Sequence, residues 1–188
     1  MHPNIQAALN YAYLLIGLPY RWYRKGELIN GDDKFYAIDL PAPDVADLRA
    51  ADKCIVCTGV PNLMRRVVGL PIPPSDADAD IPFPGTTDAW FYHLEKANKL
   101  EPFDIKLAHA NKYPIGSLLL RNFSDIYTDQ GHVAVLINSH SILHAYAIDD
   151  SEKNAGICNI TSLEDSHYYN GSSGYYTHIC RAENWLLY

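Results

Sequence analysis

The sequence predicts a single α+β domain, with helices in its first half packed on an antiparallel sheet from its second. Three observations carry this. Apolar residues recur at helical spacing up to about residue 100, and the period shifts to strands from about residue 116. A four-residue polar turn, NSHS, then separates two strand-like runs. A chain of 188 residues, 48% hydrophobic and 20% charged with 14 tyrosines, is large enough for one well-buried core and fits no disordered or repetitive class.

Residues 5 to 16 (IQAALNYAYLLI) place Ile5, Ala8, Leu9, Ala12, Leu15 and Ile16 on one helical face. Gly17 and Pro19 stop that helix. A long loop is expected at about 23–53, with GDD at 31–33, PAP at 41–43 and a short helix near 44–50. A second helix is expected from about Cys57 to Val68, with Cys57, Val60, Met64, Val67 and Val68 sharing a face. Pro61 fits in its first turn, where the missing N–H would have no partner anyway. The proline- and aspartate-rich stretch after residue 70 opens a second long loop, at about 71–115, interrupted by a helix over 88–100 (DAWFYHLEKANKL). Then come the strands SLLLRNF, GHVAVLI and ILHAYAI, the last two forming a hairpin about residues 138–141 that pairs 137 with 142 and 135 with 144. YYTHICRAENWLLY, at the end, alternates enough for one or two further strands.

The chemistry is expected around KCIVCTGVPNL, residues 53 to 63. A cysteine at the start of a helix meets unpaired N–H groups and the positive end of the helix dipole, both of which favour thiolate. Cys57 has that position, and a histidine within reach would raise the thiolate fraction further. His132 opens one strand of the hairpin and His144 lies in the other, so both could reach one end of the core-facing surface if a bulge shifts the register. Nucleophile, base and orienting group are then all present. Taken singly, each is more often structural: free cysteines are mostly buried and inert, and strand histidines commonly bond a carbonyl.

Four segments resemble, in order, the NlpC-type cysteine peptidases, the papain-like endopeptidases of bacterial cell walls. ALNYAYLLIGLPYRW resembles the family's opening helix and its G-x-P-Y-x-W turn, and CTGVPNLMRRVVGLPIP its nucleophile helix. PIGSLLLRN resembles the P-G-D-L-V-F-F strand, and GHVAVLINSHSILHA the hairpin that carries two histidines twelve residues apart. The resemblance implies a papain-like fold in which Cys57 is the nucleophile, His132 the base and His144 the residue orienting its ring. Tyr20 would help hold substrate or oxyanion, joined by the backbone N–H of Cys57. It further implies amide hydrolysis through an acyl-enzyme, with peptidoglycan or another peptide as substrate and no metal or organic cofactor. The chain departs from the family pattern at Val56, Thr58 and Tyr23-Arg24, and in its longer loops.

Other readings stay open at this point. A papain-like acyltransferase or deamidase on protein or lipid would share the fold, and Cys54 with Cys57 could instead help bind zinc in a non-catalytic module. A net charge of −7 disfavours nucleic acid or an anionic membrane, which need a basic face. No run approaches the roughly 20 apolar residues of a membrane span. Four cysteines are too few for a disulfide scaffold. The first residues lack the basic region and cleavage site of a signal peptide, so synthesis in the cytoplasm is the default and the compartment stays open, cytoplasmic or reached after lysis or through a dedicated secretion route.

Overall fold

The computed structural model describes residues 1–20, 42–74, 84–121, 131–147, 156–167 and 176–188. Trp22, Tyr23-Arg24 and most of the first long loop lie outside them. In chain order the elements are α1 (Pro3–Leu14), α2 (Val45–Ala50), α3 (Gly59–Val67), α4 (Thr87–Lys96), β1 (Glu101–Pro102) and α5 (Ile105–His109). They continue with β2 (Leu118–Arg121), β3 (His132–Asn138), β4 (Ser141–Ala147), β5 (Gly156–Ser162), α6 (Leu163–His167), β6 (His178–Cys180) and α7 (Ala182–Leu186). The fold is α+β: the strands form one six-stranded sheet in the order β1-β6-β2-β3-β4-β5, and every neighbouring pair is antiparallel. Among the described residues, no helix is long and apolar enough to cross a membrane.

Helix α1 starts where the His2 side chain accepts from the Asn4 N–H and Pro3 takes the first turn, and it buries Ile5, Ala8, Leu9 and Ala12 as its spacing requires. Its last residue is Leu14, and Gly17 adopts the left-handed φ of +89° that turns the chain away. Residues 17 to 20 then run along the outer edge of β5, with Gly17 donating to the Cys158 carbonyl and Tyr20 to that of Gly156. An edge strand that would otherwise offer bare peptide groups is thereby covered.

Helix α3 is shorter and more enclosed than its periodicity suggested. It begins at Gly59 rather than Cys57, every residue from Gly59 to Arg66 is buried, and Val67, expected on the apolar face, is exposed. The reason is position: α3 lies between α1 and α7 on one side and β3 and β4 on the other. Its polar residues are therefore bonded inside. Asn62 accepts from the Trp90 indole and donates to the Gly85 carbonyl, while Arg65 donates to the carbonyls of Pro71 and Trp185.

Both faces of the sheet are covered. Leu118, Leu120, Val133, Val135, Leu143 and Ala145 join the main core with α1, α3, α4 and α7. Leu119, Ala134, Leu136, Ile142 and Ile179 face a second cluster built from Ala108, Tyr113, Leu163 and Tyr176. This explains why Leu118, Leu119 and Leu120 form an unbroken apolar run: a strand buried on both faces has no polar side to alternate with.

Three expectations need correction. The hairpin turn is only Ser139-His140, and a bulge between Leu136 and Asn138 shifts the register so that Val135 pairs with Leu143, not His144. The end of the chain supplies one of the one or two strands expected, β6, but helix α7 stands where the second would be, because Trp185 is drawn into the core with its indole donating to the Gly116 carbonyl. The stretch 71–115 is less of a loop than expected, since it also holds β1 and α5.

Candidate active site

Cys57 sits in the turn that delivers the chain into α3, where Gly59 donates to the Val56 carbonyl and Asn62 to that of Thr58. A side chain at Gly59 would meet the buried Ile55 at 2.6 Å, so the glycine of C-T-G is a steric requirement of this turn. Of the four cysteines, all free thiols, Cys57 alone is partly exposed; Cys54, Cys158 and Cys180 are buried.

The thiol itself is closely surrounded by protein, and that burial raises its pKa. The Val133 N–H, the Thr87 side chain, the Thr58 N–H and the charge of Arg121 pull the other way without prevailing. The backbone N–H groups at the helix start do pull toward thiolate, as expected, but burial disfavours the charged form by more than these dipoles and the cation favour it. Cys57 rests as a thiol.

His132 is the first residue of β3, paired in register with Arg121 and buried. Its Nε2 lies 2.8 Å from Nδ1 of His144, and the two rings meet edge to face, 5.1 Å between centroids. The outer nitrogen of His144, Nε2, lies 2.9 Å from the Thr161 hydroxyl, and its ring stacks on Tyr146. Burial holds both imidazoles neutral. It drives His144 down to about 3, and it drives His132 well below its ordinary value with help from His144 and the Arg121 charge.

The two histidines share the face of Ala134, Leu136 and Tyr176, the second cluster, rather than the face that packs on α3. Cys57 approaches from the other side, against the N–H of Val133, the residue after His132. The thiol and the two imidazoles thus lie on opposite faces of the sheet at the start of β3, rather than on the one core-facing surface expected. Arg121 acts on both.

Tyr20 is buried in the main core, and its backbone bridges Ile55, two residues before Cys57. Among the described residues, no group of three metal-ligating side chains includes a cysteine.

Four contributors were not singled out from sequence. Thr87 opens α4 and reaches both the thiol and the Gly131 carbonyl. Gly131 allows that approach, since a Cβ there would lie 2.4 Å from Thr87 Cγ2 and 2.8 Å from the Arg121 carbonyl. Arg121 ends an apolar strand, a placement that could have flagged it. Thr161 lies on a strand with weak alternation and gave no signal.

No protein-family model matches the chain, and no curated protein is significantly similar to it.

Proposed function

We propose that the chain is a papain-like, NlpC-type cysteine hydrolase that cleaves an amide bond, with peptidoglycan stem peptides as its substrate class. The observation that carries this reading is the 2.8 Å contact between His132 Nε2 and His144 Nδ1, beside the Val133 peptide that faces the Cys57 thiol. When His144 donates through Nε2 to Thr161, its Nδ1 must accept, so His132 carries its proton on Nε2 and its Nδ1 is a base. In the opposite tautomer the lone pair faces His144. Thr161 and His144 thus govern which nitrogen of His132 is basic.

Because thiol and imidazole both rest neutral, proton transfer accompanies attack rather than preceding it. The Cys57 proton passes to His132 as sulfur adds to the substrate carbonyl. The backbone N–H of Cys57 and the Tyr20 hydroxyl serve the oxyanion. The intermediate collapses as His132 protonates the departing amine, leaving a thioester on Cys57. Water, deprotonated by His132, releases the acid and restores the thiol.

The test is digestion of purified peptidoglycan, with mass spectrometry of the released fragments. New free amine and carboxyl ends in the peptide stems are expected. Fragments unchanged by folded protein across the neutral and mildly acidic range would overturn the substrate reading. Products joined to an added amine would show acyl transfer instead.

A further inference from the structure

At the far end of the β3–β4 hairpin, His140 stacks on His109 with ring centroids 4.6 Å apart, and Glu164 faces both. Glu164 Oε1 lies 3.0 Å from His109 Nε2 and 3.3 Å from His140 Nδ1, and the three ligand-type atoms all fall within 4.8 Å of one another. We propose that His109, His140 and Glu164 form a binding site for a divalent transition-metal ion of the zinc class, with water as the remaining ligand.

The distances fit. Zinc sits about 2.0–2.1 Å from imidazole nitrogen and about 2.0–2.2 Å from carboxylate oxygen, so tetrahedral ligand atoms lie about 3.3 Å apart. The orientation fits as well: His109 Nε2 is buried and close to Oε1, yet makes no hydrogen bond in the described structure. Two atoms aimed at a common third point stand near each other without pointing at each other. Two imidazoles and one carboxylate suit zinc, cobalt or nickel rather than calcium or magnesium, which prefer all-oxygen shells.

The surroundings hold the ligands in place. Ser162 Oγ donates at 2.7 Å to the other carboxylate oxygen, the kind of outer partner that orients a metal ligand. That hydroxyl is the largest of the contributions that push the Glu164 pKa down to about 2. Leu163 donates to the His140 carbonyl, fixing α6 to the hairpin turn. His140 and Glu164 are well exposed and His109 a third so, which leaves an entry path from solvent. An ion here would clamp α5, the β3–β4 turn and α6 on the sheet face that also carries His132 and His144.

The test is calorimetric titration of the metal-stripped full chain, without an added histidine tag, with zinc chloride, alongside cobalt absorption spectra. One saturable site is expected, with a cobalt spectrum free of thiolate charge-transfer bands. His140→Ala and Glu164→Gln should each weaken binding by more than about tenfold, the loss typical of removing even an outer partner. Cys54→Ala and Cys57→Ala should bind zinc as the unaltered chain does. Absence of saturable binding, unchanged affinity in both ligand variants, or thiolate bands abolished by the cysteine variants would each overturn the proposal. The cluster would then be a carboxylate bridging two imidazoles.

Discussion

The thiol of Cys57 is governed by a contest between burial and a small set of local charges, and burial prevails. This separates the neutral Cys57–His132 pair of the proposed mechanism from a preformed thiolate–imidazolium pair, because only the latter would alkylate rapidly at mildly acidic pH. Iodoacetamide labelling, with the site located by peptide mass spectrometry, is expected to mark Cys57 before the three buried cysteines. At pH 7 it should proceed more slowly than for a free thiol of pKa about 8.5, and accelerate as the pH rises beyond that value. In His132→Ala the neutral-pH rate should fall further. Fast labelling at pH 6, or preferential labelling of Cys54, would refute the neutral pair.

At the scale of elements, α3 holds the site in place because its polar groups are bonded inside the core. The Arg65 guanidinium spans the Pro71 and Trp185 carbonyls and lies over the Trp90 ring, and burial brings its pKa down to about 10. Arg65→Leu leaves two carbonyls without their donor. The expected loss is about 2–6 kcal/mol, at roughly 1–3 kcal/mol for each of the two buried groups deprived of its partner. Urea unfolding should show it as a lower midpoint with unchanged slope. A loss under about 0.5 kcal/mol would mean that water replaces the guanidinium.

How far the elements were legible follows from what determines each one. Residues 5–14 and the runs at 132–138 and 141–147 obey one local period and were readable. The hairpin register was not, because it turns on a bulge near Ile137 that no local pattern marks. Helix α7 looked like a strand because Trp185 and Leu186 answer to a distant core rather than to their neighbours. Strand β5 passed unseen because its neighbours β4 and residues 17–20, not its own alternation, define it. His132 and His144 were visible as a pair, whereas Thr87 and Arg121 reach Cys57 only through tertiary folding.

For the whole molecule, two buried neutral imidazoles couple stability to pH. Their folded pKa values are depressed, so as pH falls below the ordinary histidine value of about 6.5 the unfolded chain takes up protons that the folded chain refuses. Stability is therefore full above about 6.5 and declines on acidification, for His144 down to about 3. The slope is about 1.4 kcal/mol per pH unit for each such proton. His144→Asn should flatten this decline between pH 6 and 4 relative to the unaltered chain. Identical slopes would show that His144 is protonated in the folded state.

In the proposed hydrolase one thiol, Cys57, and one base, His132 oriented by His144, do the work of the whole fold. Its most direct test is the rate of amide-bond cleavage in purified peptidoglycan by the unaltered chain, Cys57→Ala, His132→Ala and Cys54→Ala, each checked for folding by circular dichroism. Cleavage is expected from the unaltered chain and from Cys54→Ala, with a loss of at least about a thousandfold in the other two, the scale of removing a nucleophile or its base. Cleavage retained by folded Cys57→Ala, or lost equally in Cys54→Ala, would contradict it.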